Sequence, residues 1–524
     1  MSTPALTQID RLPTRWAKVI DQTRCIGCHA CTTACKSENE VPVGVTRTYV
    51  KHVDVGVFPQ ARRAHQVTRC NQCADAPCVT ACPTAAMFKR ADGIVDFDKS
   101  ICIGCKACMA ACPYDAIFIN PEDHSAEKCN FCAHRIDAGL EPACVVVCPV
   151  EAILVGDMND ADSKVARIVN RDTVNVRRPE KETRPKLFYK GAHQATLDPL
   201  AARRPDGDLF MWSEQPRGAG LVNSGHPEYN NSSAAALLSY DVGHSIPWDW
   251  RVSAYTWTKS IAAGAYLVSV ILRIYAGAFG RLTQTAGAVV STGGALWLWV
   301  TPIISGGFLA VTGALLIWDL EHPARFYMIF TRPQWRSWLV KGAFVIAGYS
   351  LVLALHFLSA LVGRGAWTLP LIVAGVPLAA MTAIYTAYLF AQAKARDLWQ
   401  NPLLPPHLLV QALVAGSAAL LPFAAWRDER AVAPLAWVLS LSSVLHLLMI
   451  WGETTLTHPT AHARLAAREM TSRRYAAYFR AGLALTFLGA LAPLIDIAAV
   501  PLALAGLLLY EHAYVQAGQS VPLA

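Results

Sequence analysis

The sequence predicts a multidomain protein, with an α+β domain in front and an all-α, polytopic membrane domain behind. All 16 cysteines lie between Cys25 and Cys148, and none follows in the remaining 376 residues. Charged residues make up 57 of the first 250 positions but only 27 of the last 274. Since soluble proteins average roughly 25% charged residues, we expect the front to be soluble and the rear to lie in lipid.

The formal net charge of +8 comes from the rear half, which holds 18 basic and 9 acidic residues. Those basic residues stand between apolar stretches, as charges flanking a membrane do. The charge balance therefore predicts contact with a membrane and gives no reason to expect nucleic acid.

The cysteines form four groups of four. They are Cys25, Cys28, Cys31 and Cys35; Cys70, Cys73, Cys78 and Cys82; Cys102, Cys105, Cys108 and Cys112; and Cys129, Cys132, Cys144 and Cys148. In bacterial ferredoxins, three cysteines of such a loop hold one cluster and the fourth, beyond a short turn, holds a second. Sixteen thiols at four per cluster predict four 4Fe-4S clusters in a double-ferredoxin-like iron-sulfur domain.

Disulfides and zinc are the alternatives for these cysteines. A disulfide framework suits a secreted chain, whereas the first 19 residues contain no apolar export segment. Zinc sites use pairs of CxxC motifs, without a third cysteine and a following Cys-Pro. Both alternatives are therefore disfavoured.

The motifs RCIGCHAC from Arg24, CNQC from Cys70, CIGCKAC from Cys102 and KCNFC from Lys128 carry a resemblance. Residues 16 to about 170 resemble the four-cluster ferredoxin subunits of molybdopterin oxidoreductases. The resemblance implies a molybdopterin catalytic subunit as partner, and it pairs group one with group four and group two with group three. The implied sets are Cys25, Cys28, Cys31 and Cys148; Cys129, Cys132, Cys144 and Cys35; Cys70, Cys73, Cys78 and Cys112; and Cys102, Cys105, Cys108 and Cys82. One departure is that Cys35 is followed by Lys36 instead of proline.

We predict domain boundaries at 1–170, 171–250 and 251–524. The middle interval has weak periodicity and many Arg, Pro and Gly residues, which indicates an extended linker. It ends on tryptophans, as an interfacial belt would.

The rear domain contains about eight apolar stretches long enough to cross a bilayer, although seven is possible because the last two share a tight hairpin. They centre on 257–279, 290–318, 341–363, 367–391, 407–426, 432–451, 478–495 and 498–516.

With eight spans, the loops on the N-terminal side hold eleven basic residues: Arg325, Arg332, Arg336, Lys341, Lys394, Arg396, Arg464, Arg468, Arg473, Arg474 and Arg480. The opposite loops hold Arg281, Arg364, Arg427 and Arg430. The positive-inside rule therefore places the iron-sulfur domain in the cytoplasm, with the rear domain a multi-pass segment of the inner (plasma) membrane.

Only His356 and His446 are predicted to lie well inside spans. A single haem site on two histidines is one interpretation, but a lone histidine on a helix is more often a packing or proton-path residue. We therefore expect no haem.

The motifs DLEHPARF from Asp319, WLVKG from Trp338, RDLWQNP from Arg396 and AGQSVPL from Ala517 carry a second resemblance. Residues 240 to 524 resemble the NrfD/PsrC (polysulfide reductase) membrane subunits, with His322 in place of the usual arginine. That family implies eight helices, no haem and a bound quinone, either menaquinone or ubiquinone.

A quinone site needs hydrogen-bond partners for two carbonyls and a nearby proton source. His244, Trp248 and Tyr385 resemble the family's quinone contacts. Asp319, Glu321, Lys341 and Glu453 are ionisable residues at or inside span ends, where charge is costly and often functional. For each of these four, an interfacial ion pair is an equally good interpretation.

These observations predict an electron-transfer and membrane-anchor subunit of a quinone-linked molybdopterin oxidoreductase. No catalytic residue is assigned, because the chain has no nucleotide loop or paired nucleophile and base. One alternative is the equivalent subunit of a nickel-iron hydrogenase or of a larger quinol-oxidising complex. Another is an ion-translocating module in which Glu453, His458 and Asp496 form a proton path.

Overall fold

The computed structural model describes residues 13–56, 59–204, 236–282, 294–363 and 367–524. Residues 205–235 of the predicted linker, the first four residues of the second predicted span, Arg364 and the side chain of Arg281 lie outside this part of the chain. The chain divides into two compact units. Unit 1 comprises Met1–Gly104, Ala111–Ser245 and Pro522–Ala524, and unit 2 comprises Cys105–Ala110 and Ile246–Val521.

The described residues before position 246 form short strands and helices. The strands are β1 (Trp16–Asp21), β2 (Thr48–Val55), β3 (Arg62–Arg69), β4 (Met87–Lys89), β5 (Val95–Phe97), β6 (Ile117–Ile119), β7 (Ala126–Lys128), β8 (Ile153–Asp157), β9 (Val174–Asn175), β10 (Leu187–Lys190) and β11 (Ala236–Tyr240). The helices are α1 (Ala30–Glu38), α2 (Pro77–Ala81), α3 (Ala107–Ala111), α4 (Ala133–Asp137), α5 (Ala143–Val146), α6 (Lys164–Arg171) and α7 (Gln194–Leu197). The α+β class predicted for the front of the chain is confirmed.

Two larger sheets and two hairpins organise unit 1. The strand orders are β8-β1-β10-β9 and β11-β2-β3, and the hairpins are β4-β5 and β6-β7. In the first sheet β1 pairs parallel to β10 and antiparallel to β8. Ala17, Val19 and Ile20 on β1 are fully buried, as expected for a central strand.

The interval predicted as an extended linker contributes β9, β10, α7 and β11 to unit 1. The alternation of buried and exposed residues in this interval is present but extends over only a few residues. Leu187 and Tyr189 are buried while Phe188 and Lys190 are partly exposed, which is the alternation of a strand. A four-residue alternation is too brief to stand out from an Arg- and Pro-rich sequence.

Unit 2 is built largely of long helices, which confirms the all-α class predicted for the rear. The helices from residue 250 onward are α8 (Trp250–Leu282), α9 (Thr301–Trp318), α10 (Met328–Thr331), α11 (Trp338–Val362), α12 (Thr368–Gln392), α13 (Leu404–Arg427), α14 (Val432–Thr455), α15 (Ala461–Thr471), α16 (Ala476–Gly489), α17 (Ala492–Ile495) and α18 (Ala499–Gln519), of which α10 and α17 are single turns.

Among the described residues, seven helical segments are long and apolar enough to cross a membrane. They are Trp250–Ala276, Leu296–Trp318, Trp338–Val362, Thr368–Gln392, Leu404–Arg427, Glu429–Thr455 and Ala492–Gln519. The predicted seventh stretch, 478–495, instead forms the 14-residue α16, about 21 Å long at 1.5 Å per residue. The chain then turns through α17 and Asp496, whose φ is 48°, so this part of the chain is a short apolar helix and a hairpin.

Helix packing in unit 2 depends on a close approach of α8 and α13. A Cβ atom added at Gly264 would lie 1.7 Å from the carbonyl oxygen of Ala412, and one at Gly416 would lie 2.0 Å from the carbonyl carbon of Gly264. Small residues allow such backbone contact in membrane helices. The core around this crossing is aliphatic, with Val268, Leu420 and other side chains fully buried.

Candidate functional site

Each of the four cysteine groups begins with the same backbone turn. The residue before the second cysteine has a positive φ in all four: 72° at Gly27, 48° at Gln72, 68° at Gly104 and 69° at Phe131. A left-handed residue turns successive amides toward one side of the loop. In group one, the Gly27 amide donates a hydrogen bond to the Cys25 thiol. A Cβ at Gly27 would lie 2.5 Å from the His65 ring, so this position also requires glycine for space.

Three cysteines of group one meet the last cysteine of group four around a cavity with about 320 Å³ of empty space: Cys25, Cys28, Cys31 and Cys148. The Ala152 amide donates a hydrogen bond to Cys148 Sγ over 3.2 Å. Burial raises the pKa of the Cys31 thiol to about 11. A group that binds this thiol as thiolate must therefore carry compensating positive charge, as iron does.

A second cavity, of about 310 Å³, is lined by three cysteines of group two and the last of group three: Cys70, Cys73, Cys78 and Cys112. Burial raises the pKa values of Cys73 and Cys112 to about 12. Apolar residues such as Val95 and Ile117 complete the wall, together with Asn71 and Tyr114.

A third set joins the last cysteine of group one to three cysteines of group four: Cys35, Cys129, Cys132 and Cys144. The Asn39 amide nitrogen lies 3.6 Å from Cys35 Sγ and 3.7 Å from Cys132 Sγ, within hydrogen-bonding distance for sulfur. Burial and the neighbouring thiols Cys129, Cys144 and Cys132 raise the pKa of Cys35 to about 12. These four side chains are thus mutual neighbours.

The remaining set is divided between the units. Cys82 and Cys102 belong to unit 1, where Cys82 Sγ accepts from the Met87 amide over 3.4 Å and Cys102 Sγ from the Ala126 amide over 3.5 Å. Cys105 and Cys108 belong to unit 2.

The donor chemistry of these sites fits 4Fe-4S clusters. Two of the three sets that lie wholly in unit 1 surround a cavity, and in all three sets three cysteines of one group meet the fourth of another. Within the described residues, no three His, Cys, Asp or Glu side chains converge to hold a single metal ion. Thiols spaced around a cavity match a multi-iron cluster, which needs room between its four ligands.

Unit 2 contains an apolar cavity with about 1090 Å³ of empty space. Its walls come mainly from α8, α9, α11 and α12, and are largely aliphatic and aromatic. Cys105 lines it, and the Trp248 indole nitrogen donates to the Cys105 carbonyl oxygen over 3.2 Å. The polar side chains at its surface include Asp319, Tyr255 and Tyr385. A pocket with apolar walls and few polar groups is typical of a site for a small apolar ligand.

Asp319 is the carboxylate of this cavity, and it is only 7% exposed. Burial raises its pKa to about 6, although the charges of Lys106 and Arg251 act in the opposite direction. The Lys106 ammonium lies 3.6 Å from Asp319 Oδ1 and the Arg251 guanidinium 3.7 Å from it. Oδ1 accepts no hydrogen bond within the part of the chain that the structure describes. This carboxyl can therefore exchange a proton near neutral pH.

Trp248, Asp319 and Tyr385 are the predicted quinone candidates that line the cavity. Glu321 lies on the same loop as Asp319 and pairs with Lys106 at 2.9 Å. Lys341 packs its ammonium 4.5 Å from the ring centre of Trp338.

His244 belongs to unit 1 and is not among the residues that line this cavity. Its Nδ1 is 2.5 Å from Asp115 Oδ2, and its Nε2 is 3.1 Å from Asp241 Oδ2. Burial lowers the pKa of His244, but the two carboxylates outweigh that effect and raise it to about 9. His244 is thus a buried imidazolium held by carboxylates.

Glu453, the remaining candidate, belongs to a buried network on α13, α14 and α18. His407 Nδ1 lies 3.0 Å from Glu453 Oε1, and His407 Nε2 lies 2.7 Å from His446 Nδ1. The Tyr510 hydroxyl donates to Glu453 Oε2 over 3.1 Å. Sequence reasoning missed His407, because it stands at the first residue of a predicted span and was not counted as internal.

Lys259 on α8 and Glu511 on α18 were also missed. The Lys259 ammonium donates to the Ala383 carbonyl over 2.7 Å and to the Thr386 hydroxyl over 2.8 Å. Glu511 Oε2 accepts from the Thr256 hydroxyl over 2.8 Å. Both residues fall within predicted apolar spans, so a search for every charge inside a span would have found them.

Comparison with known families and proteins places two kinds of domain on this chain. A family model described as "Polysulphide reductase, NrfD" matches residues 240–508, just over half of the chain. A model described as "4Fe-4S dicluster domain" matches residues 64–158, and a "4Fe-4S binding domain" matches residues 16–37. The two family resemblances inferred from the sequence are confirmed.

Similar proteins include components of sulfur-compound reductases. The chain is 43% identical over 208 residues to a tetrathionate reductase subunit of Salmonella typhimurium, covering 38% of this chain and 80% of that one. It is 41% identical over 180 residues to a polysulfide reductase chain of Wolinella succinogenes, covering 33% and 93%. It is 43% identical over 157 residues to the thiosulfate reductase electron transfer subunit PhsB of Salmonella typhi, covering 29% and 82%.

Proposed function

Since the protein belongs to the polysulphide reductase NrfD family and joins a 4Fe-4S dicluster domain to the NrfD domain, we propose that it transfers electrons between a catalytic partner subunit and membrane quinone. It is a multi-pass membrane subunit of the reductase type. The proposed partner is a molybdopterin subunit, and the proposed location of the iron-sulfur domain is the cytoplasmic side of the inner membrane.

The observation that carries this proposal is the presence of Cys105 in the wall of the apolar cavity of unit 2. Cys105 is one of the sixteen proposed cluster ligands, and the cavity also contains a carboxyl group and two tyrosine hydroxyls. A site that reduces or oxidises a quinone needs an electron carrier, a proton donor or acceptor and an apolar surface beside one another.

The proposed cluster ligands are the four sets of cysteines given above. When bound, four 4Fe-4S clusters supply one-electron carriers. The protein's contribution is to hold each set of thiolates together, with most of the sixteen cysteines buried.

The quinone is the proposed substrate of the cavity. Its ring and tail would lie against the aliphatic walls, and Tyr255 and Tyr385 are the proposed hydrogen-bond partners of its carbonyl oxygens. Asp319, with a pKa near 6, is the proposed proton donor and acceptor. Lys106 positions it, because its ammonium also donates to the Asp319 carbonyl oxygen over 3.1 Å.

Asp319→Asn tests the site. We expect the rate of cluster reduction by quinol, followed by visible absorbance in membranes, to fall by about tenfold or more, since general acid-base groups contribute factors of this order. Glu321→Gln is the matched control, because it changes a carboxylate on the same loop that also contacts Lys106 but does not line the cavity. Equal rates in wild type and Asp319→Asn would contradict the proposed site.

The identity of the partner is tested by metal analysis of the purified complex. Molybdenum or tungsten supports the proposed partner. Nickel, or haem c, would indicate the hydrogenase or the larger quinol-oxidising complex instead.

The network of His407, His446, Glu453 and Tyr510 favours a second candidate function, proton transfer within the membrane domain. Four titratable side chains in hydrogen-bonded series are costly in a helix bundle and are often functional there. In proteoliposomes, Glu453→Gln is expected to abolish proton movement across the membrane beyond the protons that quinol oxidation itself releases, while electron transfer continues. Unchanged proton movement in that variant would exclude this role.

A further inference from the structure

Arg69 is a buried guanidinium in direct contact with a proposed cluster ligand. It is the last residue of β3 and is 1% exposed. Its Nη1 donates to Cys144 Sγ over 2.9 Å. Lys18 on β1, 2% exposed, places its ammonium 3.9 Å from the same sulfur. Two cations thus lie beside one thiolate.

The charge of Arg69 is not balanced by a carboxylate in the described part of unit 1. Its Nε and Nη2 have no hydrogen-bond partner there. Arg47 provides the contrast, because it is also buried but pairs with Glu127 at 2.7 Å. A buried cation without a counter-ion is costly, and the negative charge of a cluster and its thiolates is the natural compensation.

Resting on the cluster assignment of the proposed function, we propose that Arg69, assisted by Lys18, raises the midpoint potential of the 4Fe-4S cluster held by Cys35, Cys129, Cys132 and Cys144. Reduction adds one electron and so one negative charge to that cluster. A nearby buried cation stabilises the reduced state more than the oxidised state.

Arg69 is a positioning and tuning residue, because it acts through Cys144 and touches no substrate. Its effect should be largest on this cluster, since its described hydrogen bond to sulfur is to Cys144, while its charge also reaches Cys31 of the neighbouring set. That cluster would then hold an arriving electron more tightly than a cluster without an adjacent cation. Its potential would help to set the direction in which electron transfer through the protein is favoured.

A redox titration of the purified holo-complex, monitored by electron paramagnetic resonance, tests this inference. Arg69→Gln should make reduction of one cluster at least tenfold less favourable, a shift of about 59 mV to lower potential for one electron. Arg69→Lys should retain most of the wild-type value because it keeps the charge. Cys132→Ser should alter the same signal, which identifies the cluster.

Arg177→Gln is the matched control. Arg177 is also buried, and it donates to the Leu523 carbonyl oxygen over 2.9 Å rather than to a thiol. The midpoint of the cluster that contains Cys144 should remain unchanged in this variant, because Arg177 lies beside Tyr114 in the wall of a different cysteine set. A shift equal to that of Arg69→Gln would assign the effect to general disruption and overturn the inference.

Lys18→Gln provides a second test that does not require Arg69→Gln to fold. It should lower the same midpoint by less, because its ammonium is farther from the sulfur. The inference is overturned if the midpoint is unchanged in both Lys18→Gln and Arg69→Gln. If Arg69→Gln binds no iron, an unchanged midpoint in Lys18→Gln alone overturns it. If wild-type protein holds fewer irons than four clusters need, the cluster assignment fails instead, and the two failures are thereby distinguished.

Discussion

The two units are stabilised in different ways. In unit 1 a core cluster includes the proposed ligands Cys31 and Cys144 beside Val50 and Leu187, and the helices there have nine residues or fewer. In unit 2 the largest described core is aliphatic and lies between long helices, with α8 and α13 in backbone contact at Gly264. The comparison teaches that unit 1 depends on what its cysteines bind, whereas unit 2 depends on helix packing.

Removal of iron should produce the largest effect, in unit 1 and in the segment Cys105–Ala110 of unit 2 that supplies two of the proposed ligands. A chelator should release hydrogen-exchange protection from β1, β2 and β3, because the uncompensated buried thiols leave little other core. Protection in α8 to α18 should remain. Measurement by mass spectrometry resolves the two units in one sample, with mock-treated protein as control. Retained protection of the strands would show that unit 1 is stable without its clusters.

A single methyl group added in the helix bundle should instead destabilise unit 2. Gly264→Ala places a Cβ 1.7 Å from the Ala412 carbonyl oxygen, so we expect the helix bundle to lose about 3 kcal/mol or more through overpacking. Thermal denaturation in detergent measures this loss. Gly452→Ala on α14 is the control, since nothing lies within 4 Å of the added Cβ. Equal melting temperatures for the two variants would contradict the importance of the α8–α13 contact.

A smaller effect is expected from pH at His244 in unit 1. The folded-state pKa is about 9, above the ordinary value of 6.5, so protonated His244 stabilises the fold. That contribution is fully present below pH 6.5 and is lost as the pH rises through 9. The melting temperature of wild type should exceed that of His244→Gln by a few degrees at the lower pH, and the difference should disappear above pH 9. Visible absorbance reports the melting of unit 1.

If the difference in melting temperature between wild type and His244→Gln instead grows with pH, the imidazole is buried in its neutral form. The neighbouring carboxylates argue against this. His244, Arg204 and Lys51 hold the pKa of Asp241 at about 2, against the effect of burial.

The sequence predicted those features that depend on local spacing. Each of the four groups begins with two cysteines separated by two residues and ends with two cysteines separated by three residues, so the groups could be recognised without a structure. The apolar spans were equally visible, although the helix at Ala476–Gly489 is shorter than its stretch of apolar residues. Its end depends on the Asp496 turn, which hydropathy does not detect.

Features that depend on contacts between distant segments could not be predicted. Lys106 precedes Asp319 by more than two hundred residues, and only the fold brings its ammonium to that carboxyl. Arg69 reaches Cys144 in the same way across 75 residues. His244 resembles a quinone contact of the family, but its imidazole contacts Asp115, 129 residues earlier in the chain, as well as Asp241.

The path of the backbone through the two units limits how the protein can be dissected. The backbone leaves unit 1 after Gly104, returns at Ala111, leaves again after Ser245 and returns at Pro522. Proteolysis at a single bond therefore cannot release two complete units. A fragment ending at Ser245 would retain the sixteen cysteines but carry a segment, Cys105–Ala110, without the residues against which it normally packs. Biochemical work on either half should use the intact protein with point substitutions instead of truncation.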